Sequence, residues 1–156
     1  HQLTRRQRQM CIRDRCTVWL AIDDANVENG CLRFIKGSHK EKKLKSHNIN
    51  DNENLTLNQE LDESEYNEKD AVNLTLNRGQ ISLHDVYLVH GSEANNSSMA
   101  RRAVTMRFMP TSSVFDHQMV KDKNLFSKLN ASKYQDRKIY HMRGRDISGK
   151  NNLTYT

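Results

Sequence analysis

The chain has 156 residues, 35% of them hydrophobic and 6% aromatic, with a formal net charge of +6. That length suits one domain, no segment approaches the roughly 18 apolar residues that span a membrane, and an odd count of three cysteines argues against a disulfide framework. The charge is a weak argument for nucleic acid, because residues 1–15 hold five arginines and one aspartate, +4 of the total, and leave +2 on the rest.

In chain order, residues 1–15 show neither strand alternation nor turn logic. The run from Gln9 to Arg15 resembles translated adapter sequence, and it is set aside as a non-native leader. The alternative is a genuine basic leader. Thr17–Ile22 is predicted as a strand, apolar on both faces and therefore buried. Asp23–Gly30 carries Asp-Asp and Asn-Gly turn signals. Cys31–Ile35 is a second strand, and the two are expected to form a hairpin-like pair. Gly37–Asn54 is a polar loop in which Lys40, Lys42, Lys43 and Lys45 make a solvated cluster that can attract an anionic group. Leu55–Leu57 is a short strand, Asp62–Asp70 an acidic stretch with a helical turn, and Ala71–Leu76 another short strand. Cys16 and Cys31 read as buried thiols in a reducing, cytoplasmic compartment. The three cysteines with His39 match no common zinc spacing.

Gln80–Val89 and Arg102–Met109 are the two clearest strands, expected to neighbour each other in a sandwich or barrel. Alternation puts Ser82, His84 and His90 on one face of the first, and Arg101, Ala103, Thr105 and Arg107 on one face of the second. Beyond Ser113 the chain is polar, with Phe115, Phe126, Tyr134 and Tyr140 anchoring an extended tail. The expected organisation is a leader over 1–15, a core over 16–116 and an extension over 117–156 packed on it.

The segment from His90 to Arg102 carries the chemistry. His90 ends a strand, a polar turn follows, and Arg101 opens the next strand eleven residues later. A histidine so placed can ligate a metal, and the arginine can hold a carboxylate that chelates the same metal. The combination suggests a non-haem iron oxygenase with an oxo-acid cosubstrate. Arg101 is preferred to Arg102 because alternation sends them to opposite faces. Arg107 shares the Arg101 face about 20 Å further on. His84 shares the His90 face, but six residues of extended strand separate them by about 20 Å, so His84 reads as core. Trp19 is either a core aromatic or part of a ligand wall, and Ser92 either binds a carboxylate or satisfies its own turn.

Three segments resemble the phytanoyl-CoA dioxygenase family. They are Cys16-Thr17-Val18-Trp19-Leu20-Ala21-Ile22-Asp23-Asp24, the run from Glu28 to Lys40 with its Gly37-Ser38-His39, and Gly79 through Pro110. Lys36 stands where the family usually has proline. The resemblance implies an all-β chain with minor helix, folded as a double-stranded β-helix (jelly roll) that is incomplete at its N-terminus. It implies Fe(II), with 2-oxoglutarate as cosubstrate, and a small organic or acyl substrate to be hydroxylated. It implies no nucleic-acid or membrane partner. By the same resemblance His90 is a metal ligand, Arg101 clamps the distal carboxylate of 2-oxoglutarate, and Trp19 and Ser92 line the cosubstrate. The family's His-x-Asp motif falls on His1-Gln2-Leu3. His1 is in register as a metal ligand, but Leu3 occupies the carboxylate position, so the chain as written is expected to be inactive. A catalytically dead jelly-roll binding module is the alternative, and a basic nucleic-acid-binding protein ranks last. Leucine is too bulky to leave room for the chloride of a halogenase.

Overall fold

The computed structural model describes residues 15–43, 45–49, 59–115, 117 and 137–155. They fall into two compact units, Arg15–Phe108 and one containing the described residues from Met109 onward.

The first unit holds eight strands: β1 (Cys16–Ala21), β2 (Leu32–Ile35), β3 (His47–Ile49), β4 (Gln59–Leu61), β5 (Ala71–Leu74), β6 (Ile81–Asp85), β7 (His90–Ser92) and β8 (Ala103–Phe108). Two three-stranded antiparallel sheets form, in the orders β6-β1-β8 and β5-β2-β7, with β3-β4 as a separate ribbon. The helical content of this unit, among the described residues, is three short 3₁₀ turns at Ser38–Glu41, Glu63–Glu65 and Glu68–Asp70. Trp19 and Ala21 of the first sheet pack with Ala25, Cys31 and Leu32, and Phe34, Leu74, Leu76 and Ala103 close around them. The core therefore lies between the two sheets.

Alternation divides each strand into two faces, and burial shows which is inner. On β8, Ala103 joins the core while Val104, Met106 and Phe108 are exposed. On β6, Ile81 and Leu83 are exposed and His84 is buried. The cysteines are free: Cys31 is buried and Cys16 half-buried.

Three expectations about pairing need correction. β1 and β2 do not form a hairpin; they lie in different sheets, because the turn after β1 redirects the chain across the core. β6 and β8 are not adjacent, since β1 lies between them. The expected strand Gln80–Val89 stops at Asp85, whose Oδ1 accepts the backbone N–H groups of Tyr87 and Leu88, both at 3.0 Å. That side-chain turn competes with the strand ladder, and pairing resumes only at His90. Ala71–Leu76 also ends early, at Leu74, with Leu76 bridging Ala25. Leu55–Leu57 lies outside the described residues.

The turn between β1 and β2 is built by asparagines. Asn26 and Asn29 exchange side-chain-to-backbone hydrogen bonds of 2.8 and 3.0 Å, and Asn29 Nδ2 donates to Asp24 O at 2.7 Å. Gly30 follows at φ +76°, and a Cβ there would stand 2.5 Å from Glu93 O. Gly30→Ala should cost about 2 kcal/mol from the left-handed backbone and the clash together, measured by urea denaturation.

In the second unit β9 (Ile139–Tyr140) pairs in parallel with β10 (Leu153–Thr154). The Asp146 carboxylate accepts from the Ser148 hydroxyl and from Asn151, and these bonds hold its pKa at about 2. Asn151 also ties in Ser113 O and Phe115 N. Phe126 and Tyr134 lie outside the described residues, and Tyr140 is exposed.

Candidate active site

His90 is positioned by the Asp85 turn and by one serine. Gly37, at φ +80°, starts the 3₁₀ turn in which Ser38 donates its hydroxyl to Ile35 O and accepts from Val89 N, both at 2.9 Å. Ile35 N donates to Val89 O at 3.0 Å. The segment entering β7 is thus pinned to the end of β2, and His90 pairs opposite Phe34. Its Nδ1 lies 2.7 Å from Leu88 O. A carbonyl only accepts, so Nδ1 carries a proton, and in the neutral ring Nε2 is the nitrogen left to ligate. Metal-ligating imidazoles are held in this way.

His84 is where the sequence reading fails. It is buried as expected, at 8% exposure, but its ring centroid lies 4.8 Å from that of His90. Phe34 covers both rings, at 5.4 and 6.0 Å. The 20 Å separation assumed an unbroken strand, and the Asp85 turn removes it. Burial pushes the His84 imidazole down from the usual histidine range to about 4, with the nearby His90 and Arg107 adding to the shift and Asp85 opposing it.

The two arginines separate cleanly. Arg102 is spent on Asp23: Nε and Nη2 each donate to the carboxylate at 2.8 Å, and the backbone N–H adds a third bond. These bonds hold Asp23 at about 2 against a smaller opposing effect of desolvation. Arg101 turns to the other face, its guanidinium 5.8 Å from the centre of the Trp19 ring. Its Nε is buried with no hydrogen-bond partner, and the side chain makes no ion pair among the described residues. Trp19 is buried on β1 between Ser82 and Thr105.

Ser82 Oγ, His84 Nδ1 and Arg101 Nε are all buried without a partner, and alternation together with the Arg101–Trp19 contact places them on the inner side of one sheet. Buried polar groups are ordinarily satisfied. Three exceptions on one face mark the place where a polar ligand belongs. Ser92 is exposed on β7 opposite Leu32, and among the described residues no hydrogen bond involves its hydroxyl. His1 and Leu3 lie outside the described residues. Among those residues no group of three or more His, Cys, Asp and Glu side chains could hold a metal ion. That face accordingly fits a carboxylate at Arg101, and β7 of the other sheet offers one oriented imidazole at His90; together they are not a complete iron centre. Within the lysine cluster, Lys42 pairs with Asp85 and stacks on Tyr87, and Lys45 pairs with Glu41 and Glu65. No described helix is long and apolar enough to cross a membrane.

Residues 1–103 match the profile of the phytanoyl-CoA dioxygenase (PhyH) family. A phytanoyl-CoA dioxygenase domain-containing protein 1 homolog of Dictyostelium discoideum is 35% identical over 94 residues, 59% of this chain and 34% of its own length. A phytanoyl-CoA dioxygenase of Arabidopsis thaliana is 34% identical over 92 residues, 58% of this chain and 31% of its own. The chain spans about a third of the length of these relatives. Among solved structures, EvdO2 of Micromonospora carbonacea var. aurantiaca is similar at TM-score 0.55 and 27% identity, covering 65% of this chain and 42% of its own. The same protein complexed with 2-oxoglutarate gives TM-score 0.53 at 28% identity, over 60% and 37%. The sandwiched sheets are those of the jelly roll these oxygenases share, and the chain belongs to the phytanoyl-CoA dioxygenase family.

Proposed function

We propose that this chain carries the cosubstrate clamp and one metal-binding histidine of an Fe(II)/2-oxoglutarate-dependent dioxygenase that hydroxylates a small organic or acyl substrate. The observation that carries the reading is Arg101, a half-buried guanidinium stacked over Trp19 with Nε unpartnered, beside an Arg102 fully engaged by Asp23. The planar guanidinium fork suits the distal carboxylate of 2-oxoglutarate. EvdO2, similar in fold, has been solved with that compound.

In this reading iron and 2-oxoglutarate together supply the oxidising chemistry when bound. The chain's own residues orient and shield. Arg101 fixes the far end of the cosubstrate, the Trp19 ring forms its apolar wall, and Ser92 is placed to add a hydroxyl donor. His90 presents Nε2 because Leu88 O holds the other nitrogen. Phe34 and His84 pack against that imidazole and fix its place. His1 is the proposed second nitrogen ligand, and Leu3 leaves the carboxylate position unfilled.

Trp19 is the single tryptophan of the chain, so 2-oxoglutarate binding should appear as a saturable change in its fluorescence, with or without metal. The chain as written should release little succinate with Fe(II) and ascorbate. Leu3→Asp, which restores His-x-Asp, should raise that release well above background. Cosubstrate binding with no succinate from either protein would favour the dead binding module, the second reading, whose support is Leu3 itself. A Trp19 signal indifferent to 2-oxoglutarate would overturn both.

A further inference from the structure

We propose that His84, Thr17 and Arg107 form a second oxyanion subsite beside His90, distinct from the Arg101 clamp, that takes a carboxylate or phosphate group of the substrate. This rests on the oxygenase reading above and names what its substrate carries.

The three residues form one row across the first sheet. Thr17 on β1 is the register partner of His84 on β6 and of Arg107 on β8. Antiparallel partners present their side chains to the same face at close range, and here that face is the inner one. His84 and Thr17 are each only 8% exposed. His84 Nδ1 is buried and has no hydrogen-bond partner. Its ring stands against Phe34 and His90 of the opposite sheet, so it points into the space between the sheets.

Arg107 is exposed on the same row and makes no ion pair among the described residues. The other guanidiniums of this sandwich that face acids are used: Arg33 by Glu68 and Glu93, Arg102 by Asp23. The nearest acid along β6, Asp85, is engaged by Lys42 and by its own turn. A guanidinium, a hydroxyl and an imidazole thus share one row, and among the described residues no carboxylate forms an ion pair or hydrogen bond with them. An oxyanion is the ligand whose lone pairs match that donor set. A neutral or cationic substrate group would leave the fork unanswered.

The subsite differs from the clamp by its row on the sheet. Arg107 is the register partner of Thr17, whereas the Arg101 guanidinium lies over Trp19, whose partners Ser82 and Thr105 form the next row. One anion can lie on each row. The substrate anion would lie at the His90 end, since His84 is in ring contact with His90.

The test is a titration of the full chain at pH 7.5 with inorganic phosphate and, separately, acetate, following the His84 Cε1–H resonance, assigned by its loss in His84→Gln. A saturable shift is expected, at least tenfold weaker in Arg107→Gln, recovered in part by Arg107→Lys, and unchanged in Arg101→Gln. Tighter response to phosphate would identify a phosphate ester as the group, and an equal or tighter response to acetate a carboxylate. The Trp19 response to 2-oxoglutarate should behave in reverse, weakened by Arg101→Gln and not by Arg107→Gln. Phosphate affinity that ignores Arg107→Gln, or that is lost in Arg101→Gln, overturns the subsite. Neither result touches the oxygenase reading, which stands or falls on the Trp19 arm.

Discussion

Arg101→Ala is expected to weaken 2-oxoglutarate binding roughly tenfold to a hundredfold, while Arg102→Ala leaves it nearly unchanged. Charge-assisted hydrogen bonds from a half-buried guanidinium contribute about 1.5–3 kcal/mol. Arg101 has nothing else to do with its buried Nε, whereas Arg102 gives its fork to Asp23. Arg102→Ala should instead let the Asp23 carboxyl rise from about 2 toward its ordinary value, visible by NMR titration. Trp19 fluorescence measures the cosubstrate arm in both variants. If Arg102→Ala lowers affinity and Arg101→Ala does not, the strand register used for the site is wrong.

The second large effect is on stability against pH. His84 titrates near 4 in the folded chain and near 6.5 when unfolded. Between those values the unfolded chain binds the extra proton and the folded chain does not. The neutral imidazole therefore contributes its full stability above about pH 6.5, and that contribution is lost as pH falls toward 4. At pH 4 the loss from this residue is about 2–3 kcal/mol. Urea denaturation of the metal-free chain at pH 7.5 and pH 4 should show that loss, and His84→Leu should show correspondingly less of it. Equal pH sensitivity in the two proteins would mean that His84 is charged inside the fold or solvated there.

Part of this arrangement is legible in the sequence. That Val104, Met106 and Phe108 lie opposite Ala103 follows from period-two alternation, and so does the opposition of Arg101 to Arg102; which face is inner does not follow from it. Alternation works there because nothing interrupts β8. It misleads at β6, where the side chain of Asp85 outcompetes the ladder for two backbone N–H groups. An aspartate two residues ahead of a tyrosine is an available turn signal. It was outweighed by the apolar residues around it, and with it went the proximity of His84 to His90. Strand partnership was less legible still. The Asn-Gly signal at Asn29-Gly30 suggests a hairpin, but Asn26 and Asn29 build a wider turn that carries the chain to the other sheet. The unpartnered state of Ser82, His84 and Arg101 is a property of packing, and no single-residue pattern encodes it.

Asp85 has a consequence for how such a centre can be rebuilt. Its carboxylate is short enough for one oxygen to reach two backbone N–H groups while the other meets Lys42. Asn at this position would keep the amide acceptor and lose only the cation, so the turn would survive. Glu, one methylene longer, would place its oxygens beyond those N–H groups and favour a continuous strand. Six extended residues would then carry the second imidazole about 20 Å from the first. The closeness of the two imidazoles is thus set by the reach of a neighbour that touches no ligand. An attempt to transplant the histidine alone onto another jelly roll would move the ring without the ruler that measures its place.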